Sequence, residues 1–273
     1  MSFTDNQVGC WPSRLIDPSG IRTAKPRTTG MTMVMDKGMG MSEFTDMLEL
    51  AHEHIDVIKL GFGTSAVTPL SLLSTKLEAA ARHDVIVIPG GTFLEIAVAQ
   101  GMVDAFFHMM RVTGFTGVEV SDGTITLTRK ERNELIRRAS EEGLLVCTEY
   151  GKKDNSTPFV LSDIVETFTE DLAHGAEWMT LEGRESGVGV GVYDCSGSCD
   201  TSLVNRIVSA VHTPSRLMWE APHKEQQVEI LRTVGLQANI GNVSPHDIIA
   251  FEALRRGLRS DTMSAMVQSQ YMI

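Results

Sequence analysis

Eight short apolar runs recur along this 273-residue chain, each separated from the next by a segment of helical periodicity, and few folds accept that rhythm. The runs are MTMVMD (31–36), IDVIKL (55–60), VIVIPG (85–90), GVEVSD (117–122), LLVCTE (144–149), WMTLEG (178–183), RLMWEA (216–221) and LQANIG (236–241). Several are continuously apolar rather than alternating, as parallel strands covered on both faces are. The intervening segments carry helix punctuation. Thr68-Pro69 reads as a cap before a proline at the first helical position, and Thr128 with Glu131 as a capping box on a helix closed by Gly143. Ser162 reads as the start of a helix closed by Gly175, and Ser244-Pro245 repeats the capping device.

Eight β–α units predict an α/β fold, a single (β/α)8 TIM barrel over residues 31–258. A doubly wound open sheet would call for a G-x-G-x-x-G turn after the first strand, and MVMDKGMGMSE lacks that spacing. Residues 1–30 read as an irregular lead-in. The Met-rich tail, 259–273, is placed either under the barrel or at a subunit contact, compatible with a homo-oligomer.

Four runs end on a glutamate and then break: VEVSDGT (Glu119), CTEYGKK (Glu149), MTLEGRESG (Glu182) and MWEAPHKEQQ (Glu220). In a parallel barrel the strands' carboxyl ends share one mouth, where active sites sit. A ring of acids there suits a divalent metal and a charged substrate.

Basic and hydroxylic residues fall at the same strand ends. Lys37 follows the first strand and Lys59 closes the second, each facing either an anion or solvent. Gly61, Gly63, Thr64 and Ser65 form a turn that offers backbone N–H groups to an anion or is simply a tight loop, and Pro89-Gly90-Gly91-Thr92 carries the same ambiguity. CTEYGKKD brings Lys152 and Lys153 beside Glu149, as a tuned general acid or a solvated turn. In GRESGVGVG, Arg184 and Ser186 suit a carboxylate or phosphate grip, though no G-K-[ST] makes it a Walker loop. Asn239, Gly241 and Asn242 precede a capped helix, where barrels often hold phosphate. His52 and His54 stand two apart on a helix and read as surface residues.

Composition narrows the partners. A net charge of −11 without a Lys/Arg run argues against nucleic acid, and no apolar stretch approaches the ~18–20 residues of a membrane span. The N-terminus lacks a signal-peptide pattern, so a cytoplasmic location is expected, and Cys10, Cys147, Cys195 and Cys199 read as plain thiols. The mouth's lining therefore points to Mg²⁺ plus a small phosphorylated or carboxylated anion; the reaction does not follow from it.

The strings MDKG, KLGFGTSAV, PGGTFLE, GVEVSDGT, TEYGKK, LEGRESG, WEAPHKEQQ and FEALRRGLRSDT, in this order over about residues 30–262, resemble the phosphosulfolactate synthase family. The resemblance implies a (β/α)8 barrel and a Mg²⁺-dependent addition of sulfite to phosphoenolpyruvate, giving (2R)-phospho-3-sulfolactate, as toward coenzyme M. It implies Lys153 as the acid that protonates C2, with Lys152 second. Lys37, Lys59 and Arg184 neutralise the anionic groups, and Glu119, Glu149, Glu182 and Glu220 are the metal candidates. Two positions depart from the pattern, Val188 and Ser260, where the family leads one to expect lysine and glycine. Val188 keeps open a related barrel enzyme using a different nucleophile; a non-catalytic binding or stress role is the other alternative.

Overall fold

The computed structural model describes residues 11–152 and 157–263. Its strands are β1 (Thr32–Asp36), β2 (Val57–Leu60), β3 (Ile86–Pro89), β4 (Gly117–Val120), β5 (Leu145–Tyr150), β6 (Trp178–Leu181), β7 (Leu217–Glu220) and β8 (Asn239–Val243). All paired neighbours run parallel, in the order β3-β2-β1-β8-β7-β6-β5-β4, with helices in the connections.

The two end strands, β3 and β4, lie side by side without a backbone ladder. Side chains bridge them instead. The Val87 amide donates to Thr116 Oγ1 at 3.0 Å, and the Gly91 amide donates to Glu119 Oε2 at 2.8 Å. Gly117 is what lets the strands approach, because a Cβ there would stand 2.9 Å from an Ile88 methyl and 3.0 Å from the Leu145 carbonyl oxygen.

Two cores follow from the period-two alternation of strand side chains. One fills the barrel, with Met31, Met33, Val57, Ile88, Cys147, Trp178 and Met218. The other, larger one lies between strands and helices. Cys147 and Met218 sit two residues before Glu149 and Glu220, so the strand face that fills the barrel with apolar atoms delivers the glutamates at its top.

The first seven strands fall within two residues of the sequence expectation at either end, whereas β8 begins three residues later and extends to Val243. Asn242 is therefore a strand residue, as Gly241 is. Thr32 pairs with Ile240 but Val34 pairs with Val243, so β8 carries one extra residue, a bulge, and Asn242 adopts φ 58° within it.

Several local expectations are corrected. Thr68 does not cap the helix that follows: it closes the short helix Thr64–Val67, its hydroxyl donating to the Thr64 carbonyl, and Pro69 holds the cap position of Leu70–Ala81. Ser162 lies inside the helix Leu161–Ala173, whose cap position is Val160. His52 and His54 are half-buried, the first stacked on His83 and the second 3.7 Å from Glu252. The Thr128–Glu131 capping box and the Ser244 cap form as read.

The lead-in binds the underside of the barrel. Arg22 pairs with Glu252 at 2.9 Å, Arg27 with Asp56 at 2.8 Å, and Lys25 Nζ donates to the carbonyls of His52 and His83. Of the Met-rich tail, residues 259–263 lie against the helix Lys224–Val234, where Lys224 meets Asp261 at 3.1 Å; residues 264–273 lie outside the described residues. Cys147, Cys195 and Cys199 are free thiols, and Cys10 lies outside the described residues. No helix among the described residues is long and apolar enough to cross a membrane.

Candidate active site

At the carboxyl end of the barrel the ammonium of Lys59, from β2, is surrounded by acids. Its Nζ donates to Glu119 Oε1 at 2.9 Å, Glu149 Oε2 at 2.9 Å and Glu220 Oε1 at 3.2 Å, and all four residues are buried. Burial alone would depress the lysine, but the charges of Glu119, Glu149, Glu220 and Glu182 outweigh it and hold its pKa well above the ordinary value. Glu119 responds oppositely. Burial, with help from Glu149 and Glu220, pushes its carboxyl up to about 7 against the pull of Lys59.

Glu149, Glu182 and Glu220 bring one oxygen each to within 4.8 Å of one another, all three buried. Carboxylate oxygens without a histidine or cysteine form a hard donor set, which fits a divalent cation of the magnesium, manganese or calcium kind. Charge is compatible with this: Lys59 feels the charges of Glu119, Glu149, Glu220 and Glu182, a concentration of acids that a divalent cation would help to balance. The triad can hold a metal.

Backbone amides fix the acids. Glu220 Oε2 accepts from Gly183 and Arg184 at 2.9 and 3.1 Å, and Glu182 Oε1 accepts from Arg184 at 2.7 Å. Arg184 itself sits at φ 57°. Its carbonyl accepts from Asn242 Nδ2 at 3.3 Å, which joins the β6 loop to the β8 bulge. Phe62, after β2, also has φ 57°. Phe62, Arg184 and Asn242 line one cavity of 310 Å³ with Lys59, Glu149, Glu182, Ser186 and Glu220. Non-glycine residues held left-handed concentrate at functional sites, and three converge here.

The sequence itself carries the deciding likeness. It matches the description (2R)-phospho-3-sulfolactate synthase (ComA) over residues 20–261. The chain belongs to that family. Among its relatives, the phosphosulfolactate synthase of Methanothermobacter thermautotrophicus is 38% identical over 244 residues, covering 89% of this chain and 94% of the relative. That of Bacillus subtilis is 37% identical over 244 residues, covering 89% and 95%. Solved structures agree on the fold: the YdjI aldolase of Escherichia coli K12 superposes with a TM-score of 0.54 at 13% identity over 89% of this chain and 91% of its own. A dihydrodipicolinate synthase from Agrobacterium tumefaciens does so with 0.52 at 10% identity over 88% and 78%. Both are barrel enzymes, and at such identity the likeness concerns fold alone.

The structure distributes the synthase-family candidates unevenly. Lys59, Glu149, Glu182, Arg184, Ser186, Glu220 and Asn242 share the cavity wall. Glu119 stands beside the triad, its oxygens engaged by Lys59 and the Gly91 amide. Lys37 is exposed and 3.2 Å from Glu185, itself a cavity residue. Thr64 donates to the Gly61 carbonyl, and Ser65 turns into a separate apolar cleft of 430 Å³ between helices. Gly241 lies inside the barrel, where a Cβ would meet the Met33 side chain at 2.7 Å. Lys152 Nζ is held by the carbonyls of Asp122 and Ile125, at 2.6 and 2.8 Å, and by the Asp122 carboxylate. Lys153 lies outside the described residues.

Some participants were not singled out from sequence. Met35 and Phe62 line the cavity, and Lys76 enters from a flanking helix to meet Asp36 at 2.7 Å. Glu95 accepts hydrogen bonds from the amides of Gly123, Thr124 and Ile125, fixing the loop that Lys152 grips. The one usable signal was Phe62 itself, a bulky residue between two glycines at a strand end.

Proposed function

We propose that this protein forms (2R)-phospho-3-sulfolactate by adding sulfite to phosphoenolpyruvate, with Mg²⁺ held by Glu149, Glu182 and Glu220. The observation that carries the reading is the buried carboxylate triad, with Lys59 beside it on one small cavity, in a chain of this family. In the reaction the sulfite sulfur forms a bond to C3, the C2–C3 π pair moves toward the substrate carboxylate, and C2 then takes a proton. A divalent cation bound at the triad supplies Lewis-acid stabilisation of the charge gathering on that carboxylate.

The chain's own groups do the rest. Lys59, its charge secured by four acids, offers a permanent cation to an anion in the cavity. Arg184 and Ser186, after β6, line the same cavity, and Lys37 is exposed beside the cavity residue Glu185. Lys153, three residues beyond the end of β5, is the proposed donor to C2, a role it takes from the family pattern. Lys152, bound to the β4 loop, anchors that segment.

Val188 bears on the rival nucleophile. It lies in the loop after β6, packs near Gly197 and is not among the residues lining the cavity.

Phosphorus NMR of the protein with phosphoenolpyruvate, sulfite and Mg²⁺ tests the reading. A new phosphate-ester signal that needs all three components and is lost in Lys153→Ala is the expected result. Untouched phosphoenolpyruvate would sink it.

A further inference from the structure

Lys59 and the triad draw on the same oxygens. Glu220 has one carboxylate oxygen to spare, because Oε2 accepts the Gly183 and Arg184 amides. The remaining Oε1 is the atom that Lys59 holds at 3.2 Å. At Glu149 the ammonium holds Oε2 at 2.9 Å. A divalent cation ligated here would share its donors with a buried positive charge, in surroundings that screen repulsion poorly. Glu119, outside the triad, tethers the same ammonium at 2.8 Å and is itself pinned by the Gly91 amide. Glu119 therefore keeps the ammonium near the metal position even when it leaves Glu149 and Glu220, rather than letting it withdraw into solvent.

Lys59 also lines the cavity, together with Arg184 and Ser186. An anion there gives the ammonium an alternative partner. We propose that Lys59 is an internal competitor for the divalent cation. It keeps the triad's affinity for metal alone low, and it makes firm metal binding conditional on an anionic ligand that draws the ammonium off Glu149 and Glu220. This rests on the reading of the triad as the metal site. By linkage, metal and anion must each raise the other's affinity by the same factor, and part of that factor resides in Lys59.

Binding of Mn²⁺ to the full chain, read from the paramagnetic resonance signal of the free ion, tests this without turnover. Lys59→Met and Lys59→Gln are both used; the second keeps a hydrogen-bonding group among the acids and guards against a folding failure. Without substrate, each should bind Mn²⁺ at least tenfold more tightly than wild type. Added phosphoenolpyruvate should tighten wild type by a larger factor than either variant. If both variants bind Mn²⁺ no better than wild type, while Glu182→Gln abolishes binding, Lys59 is no competitor and the triad still holds the metal. If Glu182→Gln binds as wild type does, with or without phosphoenolpyruvate, the triad is not the metal site and the inference falls with it.

Discussion

Lys76 reaches Asp36 from the flank of the barrel, closing an ion pair of 2.7 Å between residues 40 apart, with both side chains buried. Its ammonium lies 5.1 Å from the Phe44 ring centroid, while the other carboxylate oxygen of Asp36 accepts the amides of Gly38 and Met39. The pair thus fixes the turn after β1 that carries Lys37. Lys76→Met should leave Asp36 charged without its cation and cost about 3–5 kcal/mol, since one half of a buried pair is worse than none. Urea unfolding should show this, and the double variant Asp36→Asn/Lys76→Met should recover more than half of the loss.

The β3–β4 contact is a second place where one atom decides. A Cβ on Gly91 would fall 2.3 Å from Ser121 Oγ and 3.1 Å from Glu119 Oε2, at the amide that pins Glu119 across the strands. Gly91→Ala should lower stability by about 1–3 kcal/mol, the usual cost of overpacking. Thermal unfolding measures it, and an unchanged transition would mean the two strands are not held as described.

Phe62 tests backbone strain. At φ 57° a side chain meets the following carbonyl, a cost of about 1–2 kcal/mol that glycine escapes. Phe62→Gly should therefore be more stable than Phe62→Ala by about 1 kcal/mol, the reverse of the order in a helix or strand. Both variants should lose affinity for substrate, because the ring is part of the cavity wall. A higher stability for alanine would remove strain from the account.

Acid should loosen the underside first. Burial pushes the Glu252 carboxyl up, but hydrogen bonds and charge from Arg22, with Arg256 and His54, pull it below its ordinary value. A depressed carboxylate contributes stability above its unfolded pKa and loses it as pH falls through the folded one. The Arg22–Glu252 tie should thus be intact at neutral pH and fail below the ordinary glutamate range, near pH 4. Hydrogen exchange of the Gly30 amide, bound to the Gln237 carbonyl, should accelerate beyond the intrinsic pH trend there. In Glu252→Gln that acid-specific step should be absent.

The barrel was readable because its signals are local. Each strand is a short apolar run, and the Thr128–Glu131 box announces its helix within four residues. The four glutamates were readable for the same reason, each lying within one residue of the end of its own strand. What stayed hidden is made by long-range contact. Nothing in LSLLSTKLEAAA distinguishes Lys76, which reaches Asp36, from a solvated lysine on the same helix. Lys152 and Lys37 looked alike as strand-end cations, yet one is bound to two carbonyls and the other is exposed. Thr68 and Ser162 failed as caps because the neighbouring backbone turned where sequence preference alone does not force it.

The extra residue in β8 changes the strand's parity. In an unbroken strand, residues 239 and 242 would face opposite sides of the sheet. Here the Asn239 side chain serves the underside of the barrel, receiving the Met31 amide and donating to the Leu217 carbonyl, while Asn242 lines the cavity at the top. One strand thus carries an amide to each end of the same packed barrel at an odd spacing. Inserting or deleting a single residue between them would turn one of the two outward against the helices, so the length of this strand is itself part of the site's specification.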